Sequence, residues 1–371
     1  MSDFCKYARP GVLGLHPYQP GKPIEELERE YGVSDIIKLA SNENPLGPSA
    51  KALEAMRGEL EDVWLYPDGN GFELKQKLAA RHGVEMSRLT LGNGSSDVLE
   101  FAVRVFVGPG DEVLFSEHSF ALYPILTQAV GGTPVVAPAS AWGHDLAAMQ
   151  ARISDKTRVI FIANPNNPTG TWLGADELEG FIRAVPEHVL VVVDEAYFDY
   201  AVAPETGADD YPDCSAWVER YPNLMVARTF SKSYGLAGLR VGYAISHPQV
   251  ADLMNRVRPP FNVNTLALAA AAAALDDIEH LSRSVQLNAA GLRQLEAGFN
   301  SAGLDFIPSV GNFISVDVGR PAAVVYESLL HEGVIVRPVA NYGMPNHLRV
   351  TVGTAAENER FLTALNKVLD N

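Results

Sequence analysis

Val189-Leu190-Val191-Val192-Val193-Asp194-Glu195 sets five consecutive apolar residues directly before two acids. A half-exposed strand alternates apolar and polar residues; an unbroken β-branched run is what a strand shows when helices cover both of its faces. Similar short runs lie at 88–92, 111–116, 133–138, 158–164, 224–231 and 240–246, separated by helical patterns. Strands alternating with helices in this way predict an α/β fold, a mostly parallel sheet with right-handed crossovers and helices on both faces. Residues 51–264 form this large domain.

The texture changes on either side. Residues 1–50 are rich in Pro and Gly and read as an extended arm with a short helix near 25–31, joined to a smaller domain. After Pro259-Pro260, residues 265–300 read as one long helix, rich in Ala and then in Leu and Arg. Strand patterns in 306–318 and 334–353 and helices at 322–332 and 355–369 complete a small α+β domain over 265–371.

Composition excludes several classes of function. The 371 residues are 47% hydrophobic and 20% charged, which is incompatible with disorder. A net charge of −16 repels nucleic acid and anionic membrane. Two cysteines are too few for a disulfide framework, and the nine histidines form no HxH or HExxH pair, so no metal site is expected. The opening MSDFCKYARPG carries charges where a secretory signal has its apolar stretch, and the longest apolar run, 266–275, is about half a membrane span. These features lead to the expectation of a cytoplasmic enzyme acting on small molecules.

Ligands of parallel sheets sit beyond the carboxyl ends of the strands, so the residues following each strand carry the chemistry. Asn93-Gly94-Ser95-Ser96-Asp97 is a turn into a helix where free N–H groups and the helix dipole favour a phosphate; an ordinary capped turn reads the same. Pro165-Asn166-Asn167-Pro168-Thr169-Gly170 makes a rigid turn that aims amides at fixed points. Asp194 closes a buried strand and must be paired, hydrogen-bonded or opposed to a cation. A magnesium-binding acid is one option, but no GxxxxGK[ST] cradle accompanies it. Ser231-Lys232 ends another strand ahead of a Gly-rich turn bearing Arg240, and a desolvated lysine is suited to imine chemistry. Taken jointly, an acid, a lysine and two anion-binding turns are the parts that hold pyridoxal phosphate.

The chain resembles fold-type I pyridoxal-phosphate aminotransferases, most closely the histidinol-phosphate aminotransferase group. The matching segments are LASNENPLGP, WLYPDGNGFELKQKLA, GNGSSDVLE, ANPNNPTG, VVVDEAYFDY, TFSKSYGLAGLRVGY, PPFNVN and HLRVTVGT, nearly end to end. The resemblance implies that Lys232 bonds the cofactor's aldehyde and that Asp194 pairs with its ring nitrogen. Tyr197 and Asn167 then hold its phenolic oxygen, Phe120 stacks on the ring, and Ser95, Ser96, Ser231 and Arg240 cradle its phosphate. Tyr66 would reach the cofactor of a second subunit, which implies a homodimer with shared sites. Arg349 would clamp the substrate carboxylate, with Arg337, Asn44 and Tyr18 nearby. The implied activity is transfer of an amino group from histidinol phosphate to 2-oxoglutarate in histidine biosynthesis. An aromatic amino acid donor, or decarboxylation of a phosphorylated amino acid, are the alternatives on the same scaffold. A non-catalytic cofactor-binding regulator would need a DNA-binding segment, and no basic helix-turn-helix pattern is present. Two departures from the family pattern border the cofactor: Ser96 within GNGSSD, and His118-Ser119 where Pro-Thr is usual.

Overall fold

The computed structural model describes residues 3–15, 17, 21–206 and 208–370. Its centre is a seven-stranded sheet. In chain order the strands are β1 (Leu89–Gly92), β2 (Glu112–Ser116), β3 (Thr133–Ala137), β4 (Thr157–Ala163), β5 (Leu190–Asp194), β6 (Leu224–Thr229) and β7 (Gly242–Ser246). They lie in the order β1-β7-β6-β5-β4-β2-β3, and β7 alone runs antiparallel to its neighbours. All seven are the strands expected from the sequence, and the sheet is mostly parallel as predicted.

The apolar run of β5 shows why it does not alternate. Val189, Val191 and Val193 belong to one core cluster, and Leu190 and Val192 to the cluster on the opposite face. Burial on both faces leaves Asp194 and Glu195, at the carboxyl end of the central strand, aimed at different surroundings. Asp194 stands in register with Ala163 of β4 and Ala227 of β6.

A second sheet has four antiparallel strands, β8 (Phe306–Ile307), β9 (Phe313–Asp317), β10 (Arg337–Pro338) and β11 (His347–Thr351), in the order β8-β9-β11-β10. Its core is built with the helices Ala322–His331 and Ala355–Leu369, which fall where expected. The arm joins this part: Ile37–Lys38 pairs in parallel with Val334–Ile335. Its short helix spans Ile24–Tyr31.

The single helix expected over 265–300 is instead two, Thr265–Leu275 and Ile278–Ser301. The break lies at Asp276-Asp277, where the Asp277 carboxylate accepts from His280 N and starts the second helix as its cap. The Ala-rich first helix packs against helices Ala50–Glu59 and Phe72–His82, with Ala267, Ala270 and Ala271 in the core of the seven-stranded sheet. Small side chains permit that close packing, so this helix sides with the large sheet and not with the C-terminal one.

Candidate active site

A cavity of about 280 Å³ opens beyond the carboxyl ends of β4, β5 and β6, under the arm residues 40–42 and the face of β11. It is lined by Ser95, Ser96, Phe120, Asn167, Asp194, Tyr197, Ser231, Lys232, Arg240, Arg337 and Arg349, which segments far apart in sequence bring together.

Asp194 is 6% exposed. Its Oδ2 accepts a 3.0 Å hydrogen bond from the Tyr123 hydroxyl, while Oδ1 is buried with no hydrogen-bond partner among the described residues. Burial pushes the carboxyl up to about 6, against the opposing pull of the Tyr123 hydroxyl and the Ala196 amide. Tyr123 is held by stacking on Phe161 at 4.4 Å, and Phe120 meets its edge at 5.9 Å. Lys232 Nζ donates to Ser41 O at 3.3 Å. Burial, then the charges of Arg349 and Arg240, bring its ammonium down to about 7, so a free amine is accessible near neutrality.

One wall is cationic. Helix α1 (Ser95–Phe106) starts at Gly94, whose φ of +81° suits glycine. A Cβ at Gly94 would sit 2.3 Å from Arg240 Nη2, so only glycine lets the guanidinium lie against the helix start. Arg240 Nη1 also donates to Ser231 Oγ at 3.1 Å, and Ser231 Oγ accepts from Thr229 Oγ1. The positive end of a helix dipole facing an arginine favours an anion between them. The turn itself is closed by Asp97, whose carboxylate accepts from Asn93 N and Asn262 Nδ2, which leaves Ser95 and Ser96 facing the cavity.

Opposite lies a hydrogen-bonded chain. Arg349 Nη1 donates to Asn167 Oδ1 at 2.7 Å and Nη2 to Ala40 O at 2.6 Å. Asn167 Nδ2 donates to Tyr197 Oη at 3.1 Å, and Asn42 Nδ2 donates to the same oxygen at 2.9 Å. Arg337 and Arg349 are direct cross-strand partners on β10 and β11, so two cations share one face of the sheet and line the cavity together. Like charges placed opposite each other destabilise a strand pair unless an anion joins them.

Residues 34–365 match the family model described as aminotransferase class I and II. The chain belongs to this aminotransferase family. It is 62% identical to histidinol-phosphate aminotransferase 2 of Pseudomonas fluorescens over 369 residues, 99% of this chain and 98% of that one. The crystal structure of histidinol-phosphate aminotransferase from Sinorhizobium meliloti, in complex with pyridoxal-5'-phosphate, superposes with a TM-score of 0.88 at 30% identity, covering 97% of each chain. Aspartate aminotransferase from Thermus thermophilus, solved with maleate, shares the fold with a TM-score of 0.81 at 23% identity, covering 94% of this chain and 97% of that one.

Of the site residues expected in this aminotransferase, Asn44 lies elsewhere, and Tyr66, expected at the site of a second subunit, lies outside this cavity. Asn44 does not line the cavity; its Nδ2 donates to Ser233 O and Ser284 Oγ and its Oδ1 accepts from Leu46 N, so it braces the loop beneath. Tyr66 is 81% exposed and stacks on Phe261 at 4.7 Å. Tyr18 lies outside the described residues. Of the two amides in the 165–170 turn, Asn166 holds the turn through His118 O and Thr169 Oγ1, and Asn167 faces the cavity. Sequence reasoning missed Asn42, Ser41 and Tyr123. Tyr123 had a signal, because it follows Phe120 at helical spacing; Asn42 and the Ser41 carbonyl reach the site only through the pairing of the arm with the C-terminal sheet. The unusual His118 adopts φ of +57°, and its Nδ1 lies 2.5 Å from Tyr342 O, which ties the loop before Phe120 to residues 340–342.

Proposed function

We propose that this aminotransferase carries pyridoxal 5'-phosphate in the cavity and transfers the amino group of histidinol phosphate to 2-oxoglutarate, as a cytoplasmic enzyme of histidine biosynthesis. The observation that carries the cofactor reading is Oδ1 of Asp194, a buried acceptor with no partner among the described residues, on a side chain that lines the cavity together with Lys232. A protonated ring nitrogen is the donor it lacks, and the Gly94–Arg240 cradle suits the phosphate at the other end. Bound pyridoxal phosphate supplies an aldehyde that takes up the amino group and a protonated ring that withdraws electrons from the bond to be broken.

The residues of the chain would divide the remaining work. Asp194 holds a proton on the ring nitrogen, since a nearby carboxylate favours the charged ring. Lys232 Nζ, with its affinity for protons near pH 7, accepts and returns the proton removed from the donor's carbon. Tyr197 and Asn167 hold the phenolic oxygen, and Phe120 covers the ring. Arg349 and Arg337 form the anion clamp: a planar guanidinium bonds both oxygens of a carboxylate, and the same pair suits the donor's phosphate. One clamp serving two anions in alternation supports a ping-pong cycle.

Val63, Trp64, Leu65, Tyr66, Phe72 and Phe261 are large apolar side chains left exposed, Tyr66 stacked on Phe261, as at a subunit contact. It supports a homodimer in which Tyr66 completes the partner's site.

The test is the absorbance of the cofactor-loaded protein, without a keto acid, on adding histidinol phosphate and, separately, phenylalanine. Conversion of the band by histidinol phosphate alone is expected. Equal conversion by phenylalanine would move the assignment to an aromatic donor, and a protein that never acquires the band would overturn the cofactor reading.

A further inference from the structure

Asn42, within the LASNENPLGP segment, is 1% exposed, adopts φ of +57° and lines the cavity beside Ser41. Its surroundings fix its amide. Asn42 N donates to Thr351 Oγ1 at 2.9 Å, and Thr351 Oγ1 gives its single proton to Asn42 Oδ1 at 3.1 Å. Asn312 Nδ2 donates to Asn42 O at 3.0 Å, holding the backbone in place. With Oδ1 committed to Thr351, Nδ2 points at Tyr197 Oη. Asn167 is likewise fixed, since its Oδ1 accepts from Arg349.

A phenol oxygen has one proton and two lone pairs. Two amide N–H groups, from Asn42 and Asn167, aim at those lone pairs. The hydroxyl proton then has one direction left, into the cavity.

We propose that Asn42 is a positioning residue that aims the Tyr197 O–H at the cofactor's phenolic oxygen, making Tyr197 an obligate donor. The proposal rests on the cofactor reading above. Burial supports it by pushing the Tyr197 phenol up to about 12, which keeps its proton in place at neutral pH. A donor at the phenolic oxygen favours that oxygen's anionic form, so a misdirected donor raises the pH at which the bound cofactor's absorbance changes.

The experiment records that pH midpoint, cofactor affinity by equilibrium dialysis, and melting temperature for wild type, Asn42→Gly, Asn42→Asp, Tyr197→Phe and the double variant Asn42→Gly/Tyr197→Phe. Glycine and aspartate both tolerate the left-handed backbone at this position. Asn42→Gly should raise the midpoint in the same direction as Tyr197→Phe, by up to about one pH unit, the scale of one hydrogen bond to a charged oxygen. The double variant should go no further than Tyr197→Phe alone, because both changes remove one donation. Asn42→Asp should also raise the midpoint, since a carboxylate draws the Tyr197 proton away from the cavity. An unchanged midpoint in Asn42→Gly, additive shifts in the double variant, or an Asn42→Asp protein that keeps the wild-type midpoint would each overturn the proposal. Failure of the wild-type protein to show a cofactor band would instead overturn the cofactor reading, so the two failures are distinguishable.

Discussion

Asp194 and Glu195 are adjacent acids at the end of one buried strand, and their two sides could hardly differ more. Every oxygen of Glu195 is satisfied: Oε1 accepts from Cys214 N, and Oε2 accepts from Arg228 Nε and Nη2 at 2.9 and 2.7 Å. Arg228 is further held by Asp213 and by the Phe198 ring 3.4 Å away. Asp194 has only neutral donors, the Tyr123 hydroxyl and the Ala196 amide, and among the described residues no ion-pair partner of that kind and one oxygen without a hydrogen-bond partner. A buried charge that is fully partnered belongs to the architecture; a buried acceptor left open beside a cavity waits for a ligand. The difference is one residue in sequence and the width of a sheet in space.

Substitutions can break this comparison in order of size. The largest effect should come from Lys232, which lines the same cavity: Lys232→Ala is expected to retain the cofactor and lose turnover by at least about 10⁴-fold, the combined scale of a missing covalent anchor and a missing base. Steady-state rates, together with the mass of the borohydride-reduced protein, would check it. Asp194→Asn should lower turnover by about 10²-fold or more with the fold intact, because a neutral amide no longer favours a protonated ring; circular dichroism alongside kinetics separates the two. Glu195→Gln acts on stability instead. It leaves buried Arg228 with Asp213, half-exposed, as its one ion-pair partner among the described residues, and should cost about 3 kcal/mol in denaturant unfolding, the lower end for breaking a buried pair.

The smallest effect sharpens the comparison through pH. The Asp194 carboxyl is raised from 3.8 to about 6, so the folded cofactor-free protein binds this proton more readily than the unfolded chain does. Its contribution to stability is therefore greatest at low pH and is lost as pH rises from about 4 through 6. Unfolding of the cofactor-free Asp194→Asn variant should lack that component, seen as a flatter stability profile across this window.

The sequence made most of this fold readable because most of the strands are unbroken apolar runs, and β1, β2, β4, β5 and β6 are each followed by residues that line the cavity. The helix break at Asp276-Asp277 was hidden, since an alanine run and a leucine-rich run both favour helix and only the Asp277 cap separates them. Site residues next to strand ends, such as Asp194 and Lys232, could be located by position alone. Asn42 could not, because its role depends on Ile37–Lys38 pairing with Val334–Ile335 and carrying the arm over the cavity. Asn44 illustrates the reverse error: two positions along the same loop, its amide turns inward to Ser233 and Ser284. The glutamate–arginine pair behind the strand was equally invisible, being fixed by the registry of β5 against β6.

Melting temperatures of wild type, Asp194→Asn and Glu195→Gln, each with and without pyridoxal phosphate, test the division between these two acids most directly. Asp194→Asn should keep or exceed the wild-type melting temperature without cofactor and gain less on adding it. Glu195→Gln should melt lower without cofactor and retain the wild-type gain. An Asp194→Asn protein that melts well below wild type without cofactor, or that gains as much from it as wild type does, would contradict the assignment of the open oxygen to the ligand.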